Sequence, residues 1–222
     1  MTVLVAGGTG ALGEAVVREL HDAGWACAAT WVVDRERERL ASLPVELIEA
    51  DLLDAGAAAS AVKAVDELEA VVNLVGGFGM GPKVHEADPE EFDRLLRLNL
   101  MPAFNLARAA VPRLSERGGG AFVGVGARAA LEPFGGAAGY ITGKAALLAF
   151  IKVLDAEYRK DGVRSNAILP SVIDTPANRE SMPDADWSAW VPPAEIAKVV
   201  RFLVSDESKP TSGAFVPVYG RT

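Results

Sequence analysis

The first thirteen residues constrain this chain more than any other stretch. Val3-Leu4-Val5-Ala6 is a short apolar run that reads as a strand, and it stops at Gly7-Gly8-Thr9-Gly10-Ala11-Leu12-Gly13. From Ala11 onward Leu12, Val16, Val17 and Leu20 recur at helical spacing as far as Ala23, and Gly24 ends the pattern. A strand, a glycine-rich turn and a helix in that order let backbone without Cβ approach a pyrophosphate, while free N–H groups at the helix start bind the anion. Gly8, Gly10 and Gly13 satisfy the dinucleotide-binding spacing, and Gly7, Gly10 and Gly13 satisfy a three-apart version of it.

The rest of the chain repeats the alternation. Trp25 to Val33 reads as a second strand, Arg35 to Ser42 as a charged helix closed by Pro44, and Val45 to Ile48 as a third strand. Asp54 is placed to cap an alanine-rich helix ending near Val65, and Val71 to Val75 is a fourth strand. Asp88-Pro89-Glu90-Glu91 predicts a capped helix start, with Pro at the first position and Glu91 closing a capping box. That helix runs towards Leu114, with Pro102 and Pro112 expected to break or bend it. Ala121 to Val125, Ser165 to Leu169 and Ala214 to Val218 are further strands, and Pro193 to Val204 is a last helix. Such alternation predicts parallel βαβ units in one doubly wound α/β sheet of the Rossmann type, with helices on both faces. No repeat or linker divides it, so residues 1–222 are expected to form a single domain.

Composition narrows the function classes. Half of the 222 residues are hydrophobic, enough for a core without staples, and the lone Cys27 excludes an internal disulfide and suits a reducing, cytoplasmic setting. The chain enters a strand at once without a signal-peptide pattern, and no apolar run approaches the ~20 residues of a membrane span. A net charge of −8 argues against a nucleic-acid surface. His21 and His85 lack metal-site spacing, so no metal is expected.

The second chemical feature is Gly139-Tyr140-Ile141-Thr142-Gly143-Lys144, opening an Ala- and Leu-rich helix to about Lys160. Residues four apart share a helix face, and an ammonium beside a phenol is expected to lower its pKa from about 10, giving a proton donor and acceptor nearer neutrality.

With these two elements in view, the chain resembles the short-chain dehydrogenase/reductase family nearly end to end. Val72-Asn73-Leu74-Val75-Gly76 looks like the family's strand-four motif, with Leu74 in place of its second Asn, and Leu98-Asn99-Leu100 matches the Asn of the following helix. Gly162 to Pro170, followed by Thr175-Pro176, resembles the strand-six motif beside the nicotinamide, with Ser171 where Gly is usual. Ser212-Gly213 and the strand to Gly220 resemble its closing segment. The resemblance implies hydride transfer between NAD or NADP and a small carbonyl or alcohol. It makes Tyr140 the proton donor and acceptor, has Lys144 tune it and hold the nicotinamide ribose, and has Asn99 anchor a water leading from Lys144 to solvent. It places Gly7, Thr9, Gly10, Leu12, Gly13, Asp51, Leu52, Asn73, Val75, Gly76, Pro170, Ile173 and Thr175, with Tyr140 and Lys144, around the cofactor. It also implies a homotetramer or homodimer, paired through the helices that carry Asn99 and follow Tyr140.

One departure stands out. The family carries a serine thirteen positions before the tyrosine, and that position here is Ala127, with no Ser or Thr between Ser115 and Tyr140. Losing such a donor costs about 10²–10³ in turnover. Another donor such as Thr142 or a substrate group in its place, a cofactor-binding protein with little catalysis, and an alteration at that position are three alternatives. The three-apart glycines would also suit an epimerase or dehydratase, but the short chain lacks room for a C-terminal substrate domain. Cofactor choice leans to NADP, because Trp31 rather than an acid ends strand two and Arg35 and Arg37 lie nearby; Asp34 is the competing NAD signal. Gly76 to Gly81 reads as a mobile loop beside the site, and Phe134, Met182, Trp187 and Trp190 as candidate lining of an apolar substrate pocket.

Overall fold

The computed structural model describes residues 1–221. Seven parallel strands form one sheet in the order β3-β2-β1-β4-β5-β6-β7: β1 (Thr2–Ala6), β2 (Ala26–Trp31), β3 (Glu46–Glu49), β4 (Leu68–Asn73), β5 (Gly120–Val125), β6 (Val163–Pro170) and β7 (Phe215–Val218). The crossovers are α1 (Ala11–Asp22), α2 (Ala55–Ala64), α3 (Pro89–Glu116), α4 (Ala138–Tyr158), a short α5 (Pro176–Ser181) and α6 (Pro193–Val204). The alternation read from the sequence therefore folds into the doubly wound sheet it predicts.

Side chains on successive strand residues point to opposite faces, and this divides the core in two. Val3 and Val5 of β1 pack with Val16, Val17 and Leu20 of α1 and Ile196 and Val200 of α6. Leu4 and Ala6 pack on the other side with Leu106 and Leu114 of α3 and Leu147 and Ile151 of α4. The strand order reverses between β1 and β4, so their carboxyl ends diverge and leave a crevice there. Gly7 stands at that crevice with φ +73, and a Cβ on it would lie 3.1 Å from Val75 Cγ2.

Several local expectations are corrected. α3 runs unbroken through Pro102 and Pro112. An interior proline costs about 3 kcal/mol, and the long buried face of α3, including Leu95, Ala103, Leu106, Ala110 and Leu114, outweighs it. Asp88 caps α3 by accepting from Glu90 N, but Glu91 does not close a capping box, because Arg94 holds its carboxylate at 2.6 and 2.7 Å. The charged segment after β2 is a 3₁₀ stretch, Asp34–Leu40, rather than an α-helix. Side chains three apart eclipse in that geometry, and its ion pairs, Asp34–Arg37 and Glu36–Arg39, have this spacing. β2 ends at Trp31, with Val32 and Val33 exposed, and β4 ends at Asn73, so Leu74 to Gly76 already belong to the crevice.

Candidate functional site

The turn after β1 is held by backbone and by one hydroxyl: Gly7 N donates to Thr30 Oγ1 at 2.9 Å, and Gly10 N to Gly7 O at 3.2 Å. Gly13 is packed onto this turn so closely that a Cβ would lie 2.3 Å from Gly7 O. Gly10 caps α1 without any side-chain acceptor, so the first N–H groups of the helix are left for an outside anion. Thr9 is buried, and its carbonyl accepts from Arg39 Nη1 at 2.7 Å.

A cleft of about 250 Å³ opens beside this turn. Of the residues expected around a cofactor, Gly7, Thr9, Gly10, Asp51, Leu52, Val75 and Gly76 line it. Gly13 and Asn73 lie behind that wall, where Asn73 Oδ1 accepts from Val75 N at 3.3 Å and its buried Nδ2 finds no partner among the described residues. Leu12 is half-buried in the first turn of α1, away from the cleft wall. Asp51 is exposed and turns its carboxylate back to Leu53 N at 3.0 Å. Pro170, Ile173 and Thr175 do not line this cleft: Pro170 is the last residue of β6, Ile173 bridges Val191, and Thr175 caps α5 through Asn178 N at 3.2 Å.

Tyr140 and Lys144 share one turn of α4, as predicted from their spacing. Lys144 is buried and donates to Val125 O at 2.7 Å. A Cβ on Gly76 would lie 2.9 Å from Lys144 Nζ and 2.7 Å from Asn99 Oδ1, so the ammonium and the amide back directly onto the cleft wall. The expected lowering of the phenol pKa is reversed. Burial pushes Tyr140 up to about 12, and it pushes Lys144 down to about 8. Desolvation is the cause of both shifts, and the ammonium is turned to the Val125 carbonyl rather than to the phenol.

Asn99 is tied to the backbone on both sides of it. Its amide donates to Gly77 O and Leu95 O, both at 2.9 Å, and accepts from Gly77 N at 3.2 Å. Both donors are spent on backbone, leaving one oxygen lone pair for a water. Thr142 is exposed and lies two residues from Tyr140, so it faces away and is no substitute donor. Ala127 is buried just past β5 in extended backbone. Arg35 is exposed, whereas Arg37 lies 4.7 Å over the ring of Trp31 and bonds Asp34 at 2.8 Å. Among the apolar candidates Trp190 is buried and packs 6.4 Å from Trp187, while Phe134 and Met182 are exposed.

Sequence reasoning missed four contributors. Thr30 anchors Gly7, Glu36 and Leu98 line the cleft, and Phe78 packs edge-on to Tyr140. Thr30, a polar residue in an otherwise apolar strand, was the one signal available. Among the described residues no three metal-ligating side chains come together, and no helix is long and apolar enough to cross a membrane.

Comparison with known proteins accords with this geometry. 4-Formylbenzenesulfonate dehydrogenase TsaC1/TsaC2 of Comamonas testosteroni is 30% identical over 98% of this chain and 95% of its own. Dihydropteridine reductase of Dictyostelium discoideum is 30% identical over 96% of this chain and 92% of its own. A solved short chain dehydrogenase/reductase family protein superposes with TM-score 0.92 at 27% identity, covering 99% of this chain and 96% of the other. ElxO with NADP bound shares the fold at TM-score 0.90 and 19% identity, covering 99% and 97%. A family profile described as short chain dehydrogenase matches residues 1–186, and with the glycine turn, the switch-point cleft and the Tyr140–Lys144 turn already in place, the chain belongs to that family of oxidoreductases.

Proposed function

We infer that this chain is an NAD(P)-dependent oxidoreductase that interconverts a small carbonyl compound and its alcohol, with Tyr140 as the proton donor. One observation carries the reading: the glycine turn and Gly76 line one cleft at the β1–β4 switch point, and Lys144, one helical turn from Tyr140, backs onto Gly76. The residues fit a dinucleotide, since α1 begins without a side-chain cap at the cleft-lining Gly10, and Gly13 lets the helix pack directly onto the glycine turn. Bound nicotinamide dinucleotide supplies or accepts the hydride. The N–H groups at the start of α1 hold the anionic end, and Gly76 lets the chain pass close to Lys144. The Tyr140 hydroxyl, protonated up to about 12, is in the donor form for reduction at ordinary pH. As the carbonyl carbon gains hydride, this hydroxyl delivers its proton to the oxygen, and the neighbouring ammonium offsets the phenolate charge left behind.

Of the two cofactors, NADP is favoured. The Arg37 guanidinium sits over Trp31 at the cleft mouth, while Glu36 is engaged by Arg39 at 3.0 Å. Fluorescence titration should give tighter binding of NADPH than NADH, and the opposite order overturns this preference. The names of the relatives cover an aromatic aldehyde and a pteridine, so they define no shared substrate.

A second reading, a dinucleotide-binding protein with little turnover, is favoured by Ala127. In the family register it takes the serine position, and Thr142 faces away. Ala127→Ser should raise carbonyl reduction tenfold or more, approaching the about 10²–10³ that one oxyanion donor contributes. No gain on any accepted substrate would remove Ala127 from that position. The chain also pairs with copies of itself through α3 and α4, where Phe104 meets Phe150 and Val153 stays exposed; light scattering at a monomer's mass would refute this.

A further inference from the structure

The segment from Gly76 to Gly81 was expected to be mobile, yet it is bound along the inner face of α3. A Cβ on Gly77 would lie 2.7 Å from Leu98 Cδ2, and one on Gly79 would lie 2.8 Å from Leu95 Cδ1. The absence of side chains at these positions lets the segment lie flat on α3. Asn99 clamps Gly77 on both its N–H and its carbonyl, and Gly81 N donates to Gly136 O at 2.6 Å, tying the strap to the loop that precedes α4. Only Phe78 and Met80 carry large side chains here, and both project outward, 61% and 64% exposed. The Phe78 ring meets Tyr140 edge-on at 5.1 Å between centroids and 79° between planes. A Cβ on Gly136 would lie 3.5 Å from Met80 Cε, and the same loop exposes Leu131 and Phe134.

The Phe78 ring is held against the proton donor by ties on both sides, through Gly77 to Asn99 and through Gly81 to Gly136. Resting on the reading of Tyr140 above, we propose that Phe78 is a specificity-determining residue: it forms an apolar wall for an aryl or bulky alkyl substituent on the carbonyl, and Asn99 is the positioning residue that holds it there through Gly77. The substrate class is therefore an apolar, aryl-substituted ketone or aldehyde rather than a sugar-like polyhydroxy carbonyl. Aromatic rings gain from edge or offset contact beyond the area they bury, which makes Phe78 a better wall for an aryl group than an aliphatic residue of similar size.

The test compares acetophenone with dihydroxyacetone on the full chain, wild type beside Phe78→Ala and Phe78→Leu. Phe78→Ala should raise the acetophenone KM about fivefold to tenfold, with kcat and the dihydroxyacetone KM within about twofold, and Phe78→Leu should fall between. Where turnover is below detection, the acetophenone Kd of the NADP-loaded protein is read by calorimetry and carries the same expectation. Equal shifts for both carbonyls, no shift, or wild type preferring dihydroxyacetone overturns the proposal. A Phe78→Ala loss confined to kcat also overturns it, as it would mean disturbed proton transfer. Titration of the three proteins with NADPH and NADH separates the two ideas. Wild type that binds neither NADPH nor NADH defeats the oxidoreductase reading, whereas normal cofactor binding without carbonyl selectivity defeats only the Phe78 proposal.

Discussion

The two ends of the sheet carry hollows of different kinds. At the amino ends of the strands a cleft of about 670 Å³ lies among Glu69, Arg117, Arg159, Arg164, Asp206 and Lys209. Its charges are partnered: Arg117 holds Glu69 at 2.6 Å, Arg159 holds Asp155, and Lys209 holds Asp206 at 3.0 Å. Arg164 closes the end of α6 by donating to Leu203 O, Val204 O, Ser205 O and Ser208 Oγ. At the carboxyl ends the cleft is smaller, about 250 Å³, but its groups are left wanting. α1 starts uncapped, Lys144 has one carbonyl in a dry site, and the buried Nδ2 of Asn73 has no partner among the described residues. Polar groups that folding does not satisfy mark the reactive end better than volume does.

That contrast can be broken by exchanging which end affects activity. The largest expected effect is at the carboxyl end. Tyr140→Phe should lower kcat by about 10²–10⁴, the usual contribution of a positioned proton donor, and leave the NADPH Kd within about threefold. Steady-state rates with a fluorescence titration check it, and undiminished kcat would remove Tyr140 from the chemistry.

Next in size is the amino end. Arg164→Ala strands carbonyls at the end of α6 and should cost about 2–4 kcal/mol, lowering Tm by several degrees while kcat/KM is unchanged below the transition. A fall in kcat/KM without loss of Tm would mean that the paired cleft takes part in function.

The smallest effect sharpens the comparison through pH. The folded pKa of Lys144 is about 8, below its ordinary 10.5, so the unfolded chain binds the extra proton between these values. Its contribution to stability therefore rises with pH across that window, and the cost of the buried ammonium, on the order of 3 kcal/mol, is fully present below it. Urea midpoints between pH 7.5 and pH 10 should climb more steeply in wild type than in Lys144→Met. Parallel midpoints would show that the ammonium is not desolvated.

Much of the fold was legible because its signals are local. The glycine turn, the alternation of runs, the Asp54 and Asp88 caps and the four-residue step from Tyr140 to Lys144 all lie within a few neighbouring residues. Where it is backbone, the cleft is drawn from residues the sequence singles out: Gly7, Gly10 and Gly76 line it. Less was legible where side chains from distant segments meet. Pro102 argued for a break that the buried face of α3 overrides, Asn99 turned out to clamp Gly77, and Phe78 looked like part of a flexible glycine run until Leu95 and Leu98 lay beneath it.

The amino-acid order alone determined a parallel α/β sheet with a phosphate-sized turn at its start and a phenol one helical turn from an amine, because hydrophobic period, glycine spacing and helix geometry need no partner. Tertiary structure decided how those groups are charged and covered. Burial raises Tyr140 to about 12 and lowers Lys144 to about 8, the reverse of what adjacency predicts for the phenol, since desolvation depends on every segment packed around a group.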